Sequence, residues 1–230
     1  MFTALNLEDQ VLRGRRKIIN ERITCKKGEF YLSRLVSRKN DNTKYIEKFI
    51  KNCRVPVVLN TSDDVTEIKY RILLNTVIRY ADKNTDIAIF DRQGKIQYLL
   101  APAVENFRTV YVVSEEKSYE TVCENLLAKY GTCAVLKDSL SDMGGCNHII
   151  SSERLPFSAG PYVFGEQGWF VKDCKPVFSC DFPGALPDYA DVFSVAAGMY
   201  KYMGEQNVVK AYCTKFSLKG VKADAENFFK

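Results

Sequence analysis

Four short apolar runs stand out in the middle of the chain. They are Ile87–Phe90, Thr109–Val113, Cys133–Leu136 and His148–Ser151. Runs that are continuously apolar or β-branched are typical of strands buried on both faces of a parallel sheet. The pattern therefore predicts such a sheet in this part of the chain.

Segments with helical spacing connect these runs. Between the second and third runs, Ser118–Tyr130 places its apolar residues on one helical face, and Gly131 follows as a C-terminal stop. The crossover Gln97–Asn106 also has an apolar face, but its Pro102 disfavours a regular helix. Strands alternating with helices predict an α/β fold, with a Rossmann-like, mostly parallel sheet flanked by helices.

The residues before the first run have a pattern of their own. Residues 1–84 mix charged, apolar and helical stretches and predict a smaller N-terminal α/β section. Between Val65 and Ala81, apolar residues at helical spacing cover more than one stripe. This helix is therefore predicted to be buried on two sides.

The C-terminal part is rich in glycine, proline and aromatic residues. It predicts a hairpin with Asp173–Lys175 as its loop, followed by a helix that Asp188 caps and Gly204 ends. We therefore divide the chain into an N-terminal section, residues 1–84, and a Rossmann-like domain, residues 85–230, which includes this hairpin and helix.

Composition and charge indicate a globular protein without a strongly charged partner. The 230 residues are 46% hydrophobic, enough for a real core, and the net charge of +5 is mild. Lysine and arginine are dispersed apart from Arg13, Arg15, Arg16 and Lys17. This cluster fits either a nucleic acid or acidic partner, or a solvated helix face, and the mild net charge does not favour nucleic acid.

Eight cysteines and one histidine bear on metal and redox chemistry. No cysteine pair has the CxxC spacing and one histidine does little to complete a zinc site, so no metal is predicted. The N-terminus has no signal-peptide pattern, and no apolar run approaches the roughly 20 residues of a membrane span. We therefore expect a cytoplasmic protein with free thiols that does not act at a membrane.

The order helix, strand, crossover, strand, helix, strand, strand resembles the NAD(P)-binding Rossmann domain of the shikimate dehydrogenase and glutamyl-tRNA reductase group. The resemblance covers about Tyr70–Pro156. In that group, a glycine-rich turn after the first strand lets the backbone approach the pyrophosphate. Here the turn is Asp91–Ile96, and Gly94 is its only glycine. The group's three glycine positions fall on Asp91, Gln93 and Ile96.

The resemblance implies a site for NAD or another nucleotide at the carboxyl edge of the sheet, with a degenerate glycine motif. A carboxylate at the head of the turn repels phosphate, whereas Arg92 and Lys95 offer it positive charge. Glu115 is placed either to accept from ribose hydroxyls or to act as an acid favoured at a helix start. The candidate binding residues are Asp91, Arg92, Gln93, Gly94, Lys95, Ser114, Glu115, Ser151 and Ser152.

No catalytic set emerges from the sequence. The group's dehydrogenases use a lysine and an aspartate of the front domain, and no lysine–aspartate spacing within residues 1–84 matches them. His148 begins an apolar strand and is interpreted as structural. Cys146 has no neighbouring base in the sequence that would make it a nucleophile.

Three functions stay open from the sequence alone. The first is binding of a nucleotide-like small molecule in the crevice of Asp91–Lys95, Ser114–Glu116 and Ser151–Glu153. The second is a non-catalytic interaction or structural protein whose pocket is filled by its own side chains. Its aromatic residues within Tyr162–Phe182 would then serve a partner or a homo-oligomer. The third is a methyltransferase-like protein, because the acids after the first two strands loosely correspond to the sugar-binding acid of that group.

Overall fold

The computed structural model divides into two compact units. Unit 1 comprises Met1–Lys69 and Phe178–Lys210, and unit 2 comprises Tyr70–Val177 and Ala211–Lys230. The predicted hairpin around Asp173–Lys175 lies outside the described residues. The structure describes residues 1–11, 14–38, 41–132, 134–139, 141, 146, 148–153, 155, 162–165, 186–187, 189–218 and 221–229.

Unit 1 contains a mixed sheet with the strand order β2-β3-β1-β4. Strand β1 runs parallel to β3 and β4, whereas β2 and β3 form an antiparallel pair. Helix α1 lies between β3 and β4 in the chain and provides the long connection that two parallel strands require. The elements are β1 (Thr3–Val11), β2 (Lys17–Cys25), β3 (Gly28–Val36), α1 (Thr43–Asn52) and β4 (Val57–Leu59).

The basic cluster near the N-terminus does not form a helix face. Gly14, Arg15 and Arg16 make a bend, and Lys17 is the first residue of β2. The helical interpretation of this cluster is therefore wrong. Strand β2 is largely exposed and has no continuous apolar run, which is why its sequence did not indicate a strand.

The C-terminal helix of unit 1, α5 (Val192–Met203), begins later than predicted. Its N-cap is Asp191, whose carboxylate accepts a hydrogen bond of 2.9 Å from the backbone N–H of Ser194. The prediction that Asp188 caps this helix is therefore wrong. The predicted stop is confirmed, because Gly204 follows the helix with a φ of 66°. A 3-10 helix, Gln206–Lys210, comes next.

Unit 2 contains a parallel five-stranded sheet with the order β7-β6-β5-β8-β9. The α/β fold with a Rossmann-like sheet is thus confirmed, and each of the four apolar runs forms or overlaps one strand. The strand order reverses between β5 and β8, which makes their carboxyl ends a topological switch point. The strands are β5 (Asp86–Phe90), β6 (Thr109–Val113), β7 (Val135–Lys137), β8 (His148–Ser151) and β9 (Tyr162–Gly165).

The helices of unit 2 follow the sequence pattern closely. The crossover contains a 3-10 turn, Gln97–Leu99, and the short helix α3 (Leu100–Val104). Helix α4 (Ser118–Tyr130) ends at Gly131, as predicted. Helix α2 (Asp63–Tyr80), which belongs to unit 1 as far as Lys69 and to unit 2 from Tyr70, has buried residues around more than one stripe, which was also predicted. The later elements are β10 (Lys215–Leu218), β11 (Val221–Asp224) and α6 (Ala225–Phe229).

Two chemical expectations can be compared with the described residues. Cys213 is disulfide-bonded, so the expectation of free thiols is wrong for this residue. Cys25, Cys53, Cys123 and Cys146 are free thiols. Among the described helices, none is both long enough and apolar enough to cross a membrane.

Candidate functional site

The candidate site is the carboxyl edge of the sheet in unit 2. Asp91 follows β5, Ser114 follows β6 and Ser152 follows β8, so three neighbouring strands bring these residues to one edge. The backbone N–H of Asp91 donates to the carbonyl of Val113 over 2.9 Å, and that of Ser152 donates to Phe90 over 3.0 Å. The sheet therefore continues one residue beyond β5 and β8 and fixes the backbone at Asp91 and Ser152.

The Asp91 carboxylate is completely buried and accepts four hydrogen bonds. Its Oδ1 receives the backbone N–H of Lys95 at 3.0 Å and the hydroxyl of Ser152 at 2.6 Å. Its Oδ2 receives the backbone N–H of Ile96 at 2.8 Å and the hydroxyl of Tyr119 at 2.7 Å. Charge-assisted bonds of this kind compensate the cost of burying a carboxylate.

Tyr119 is the partner that links this carboxylate to helix α4. The side chain is buried, and burial together with the charge of Asp91 raises its pKa well above the usual value. The phenol therefore keeps its proton and donates a hydrogen bond to Asp91. This side-chain hydrogen bond joins helix α4 to the turn after β5.

The backbone N–H groups at the end of the turn have a partner within the protein. In the resembled group, backbone N–H groups at the start of the crossover face the phosphates. Here, the corresponding N–H groups of Lys95 and Ile96 donate to Asp91. The carboxylate thus occupies the place of the anion within the protein itself.

The two charged candidates on the rim, Arg92 and Glu115, are directed toward each other. Arg92 Nε lies 3.4 Å from Glu115 Oε1, and the side chains are 54% and 75% exposed. An ion pair this exposed contributes little to stability, generally below about 1 kcal/mol. The Arg92 guanidinium also lies 5.3 Å from the centre of the Phe90 ring. Both groups therefore have partners within the protein.

The turn is closed further by the segment after β6. The Ser114 hydroxyl donates to the Asp91 carbonyl over 2.6 Å and accepts the backbone N–H of Glu116 at 3.1 Å. Gly94 has a φ of +71°, and a Cβ built on it would lie 3.3 Å from the Glu116 side chain. Glu116 thus covers the only glycine of the turn. Gln93 and Lys95 extend into solvent beside it.

The segment after β8 is also internally bonded. The buried Ser151 hydroxyl donates to the Glu153 carbonyl over 2.6 Å and accepts the Glu153 backbone N–H at 3.2 Å. The carbonyl of Ser151 accepts the hydroxyl of Tyr70 at 2.8 Å. Ser151 therefore stabilises the local turn, whereas Ser152 donates to Asp91.

Cys146 and His148 belong to the opposite, amino end of the sheet. The Cys146 thiol donates to the carbonyls of Asp86 and His148, over 3.2 Å and 3.3 Å. Burial raises the pKa of Cys146 to about 11 and lowers the pKa of His148 to about 4. At neutral pH the thiol is protonated and the imidazole is uncharged, which suits structural roles.

Sequence reasoning did not identify Tyr119 and Tyr70 as part of this edge. Tyr119 lies within the predicted helix Ser118–Tyr130, and its hydroxyl was the signal that a buried side chain there needs a polar partner. Within the described part of the chain, no three His, Cys, Asp or Glu side chains are grouped so as to hold a metal ion.

The structure brings the predicted residues together but bonds most of their polar groups to one another.

Comparison of the chain with protein-family models, with curated proteins and with solved structures found no match in any of the three.

Proposed function

We propose that this protein is a non-catalytic interaction or structural protein, in which a Rossmann-like sheet has lost dinucleotide binding. The observation that supports the proposal is the buried Asp91 carboxylate, which takes the two backbone N–H groups of Lys95 and Ile96. A domain without a place for its cofactor has no hydride to transfer. It keeps the stability and the surfaces of the fold.

Energetic considerations favour this proposal over nucleotide binding at the same turn. A phosphate entering within about 4 Å of the carboxylate would meet a repulsion of about 4 kcal/mol at an effective dielectric constant of about 20. Pushing Asp91 aside instead would leave a buried charge without its donors, at a cost of about 3–5 kcal/mol. Either cost is comparable with the whole binding energy of a ligand of millimolar to micromolar affinity, about 4–8 kcal/mol.

The predicted binding partners belong to the same proposal. Self-association or a protein partner takes the place of a nucleotide, NAD or S-adenosylmethionine as the bound species. Cytoplasmic location stays a prediction. The disulfide of Cys213 weighs against it, because the cytosol keeps most thiols reduced.

A ligand titration followed by thermal unfolding tests the proposal. The purified protein is titrated with NAD, NADH, NADP, NADPH, S-adenosylmethionine, ATP and AMP. A ligand bound at the sheet edge would stabilise the native state by about 2.7 kcal/mol at a hundredfold excess over its Kd. We expect no saturable stabilisation that depends on the sheet edge.

Two variants assign any stabilisation to its site. Glu115→Ala removes an acid at the rim of the candidate crevice. Glu124→Ala removes an exposed acid on helix α4 and is the matched control. A saturable shift with NAD that Glu115→Ala abolishes and Glu124→Ala keeps would overturn the proposal and restore nucleotide binding.

A further inference from the structure

A second concave site lies in unit 1, where two described strands and the bend before β2 line a basic cavity that is open to solvent. Its volume is about 750 Å³, within the range of about 300–1,000 Å³ that is usual for small-molecule sites. The described lining contains four cationic side chains and two branched apolar ones. They are Arg15, Lys17, Arg34, Arg38, Ile19 and Val36.

The pairing of β2 and β3 explains why these charges converge. Lys17 lies opposite Val36, and Ile19 lies opposite Arg34, in the antiparallel register. Alternate residues of a strand share a face, so all four residues are on the same face of the sheet. Cross-strand neighbours of this kind are only about 5 Å apart at Cβ. Lys17 and Arg34 are diagonal neighbours, for which about 7–8 Å is usual.

Arg34 is held in place by a chain of side-chain contacts. Its guanidinium lies 4.8 Å from the centre of the Tyr189 ring, a cation–π distance. The Tyr189 hydroxyl in turn donates to the carboxylate of Glu21. Glu21 lies on the same sheet face two residues beyond Ile19, and its acceptor oxygen is engaged by Tyr189. The half-buried Arg34 is therefore oriented before any ligand arrives.

The described lining carries positive charge without a matching acid. None of its described side chains is an aspartate or a glutamate, and no ion pair joins Arg15, Lys17 or Arg38 to another described residue. Four cations around one cavity repel one another, and an anion between them would relieve that repulsion. The net charge of the whole chain is only +5, so four cations at one cavity are a strong local concentration of positive charge.

We propose that this cavity binds a small molecule that carries two or more phosphate groups. Guanidinium groups match phosphate oxygens with paired hydrogen bonds, and three of the four cations are arginines. Ile19 and Val36 provide an apolar floor for the remainder of the ligand. The concave shape and the limited volume favour a small molecule over a nucleic-acid strand, which needs an extended basic groove.

Calorimetric titration of the full-length protein with inorganic tripolyphosphate tests the inference. We expect one binding site per chain. Arg38→Gln removes an exposed lining charge, and Arg34→Gln removes the oriented one. Each should weaken binding about tenfold, the loss of one charge-assisted contact. Absence of binding at millimolar tripolyphosphate would overturn the inference.

Control variants separate this site from the sheet edge of unit 2. Lys95→Gln lies on the turn after β5, and Lys83→Gln removes an exposed charge elsewhere in unit 2. Both should bind tripolyphosphate like the unaltered protein. If Lys95→Gln weakens binding and Arg34→Gln does not, the anion site is at the sheet edge. That result would overturn this inference and contradict the proposed loss of phosphate binding there.

A single-stranded oligonucleotide provides the competing class of ligand. We expect it to bind more weakly than tripolyphosphate at physiological salt. If it binds more tightly and loses affinity in Arg34→Gln and Arg38→Gln, the cavity is part of a nucleic-acid surface and the small-molecule inference is wrong. NAD, NADP and ATP also carry two or more phosphate groups, so a stabilisation by them that Arg34→Gln abolishes and Glu115→Ala keeps is assigned to this cavity. A stabilisation that Glu115→Ala abolishes and Arg34→Gln keeps is assigned to the sheet edge, so the two proposals fail independently.

Discussion

The Asp91 carboxylate is the single group on which the turn after β5 depends. Replacing it in Asp91→Asn removes the charge and sets an amide N–H₂ against groups that are themselves donors. We expect the free energy of unfolding to fall by about 3 kcal/mol, as is usual when a buried charge and its hydrogen-bond donors no longer complement each other. Urea denaturation followed by circular dichroism measures the change.

The matched control for this substitution is Asp138→Asn. Asp138 is exposed in unit 2, so the same chemical change should alter stability by less than about 0.5 kcal/mol. Equal stability of the two variants would show that the four hydrogen bonds of Asp91 do not matter to the fold.

The sequence predicted the position of Asp91 but not its partners. Its place after an apolar run, at the head of the turn, was enough to indicate an unfavourable charge for a phosphate. Tyr119 and Ser152, however, are 28 and 61 residues away along the chain. Local periodicity carries no information on which distant hydroxyl meets a carboxylate. The sequence therefore indicated that these residues lie at one edge of the sheet, whereas their hydrogen bonds to one another were not foreseen.

At the scale of elements, α5 packs closely against Phe2, the residue before β1. A Cβ built on Gly198 would lie 2.1 Å from the ring of Phe2, far inside van der Waals contact. Phe2 is completely buried and stacks on Phe30, with the ring centres 5.0 Å apart, so the ring has little room to move. We expect Gly198→Ala to lower the free energy of unfolding by about 2–3 kcal/mol through overpacking, measured by urea denaturation.

A double-mutant cycle identifies Phe2 as the cause. Phe2→Leu removes part of the ring that the new methyl group would strike. The combined variant should therefore lose less stability than the sum of the two single variants, because residues in contact are not additive. Strict additivity would mean that the cost of Gly198→Ala arises from the helix itself.

Elements with a strong local pattern were predicted, and elements that depend on distant pairing were not. The apolar runs of β5, β6 and β8 and the single face of α4 are visible within a window of a few residues. Strand β1, by contrast, pairs with β3 and β4, and nothing local specifies that order. The start of α5 was misplaced because Asp188 and Asp191 offer the same capping chemistry three residues apart.

At the scale of the whole molecule, the chain has one histidine, so any histidine-dependent change in stability has one source. Burial lowers the pKa of His148 from 6.5 to about 4 in the folded protein. Between these values the unfolded chain binds a proton that the folded protein does not bind. The free energy of unfolding therefore falls as the pH is lowered from 6.5 toward 4, and this contribution is fully present above pH 6.5.

From pH 7.5 to 4.5, this titration should remove about 2–3 kcal/mol of stability. Urea denaturation across that range, on the unaltered protein and on His148→Phe, measures it. The carboxylates titrate in both proteins and cancel in the comparison, and hydrogen bonds lost in the variant shift its stability equally at every pH. The variant should consequently lose less stability on acidification. Parallel pH profiles would mean that the imidazole accepts a proton in the native state, and that the amino end of β8 is open to water.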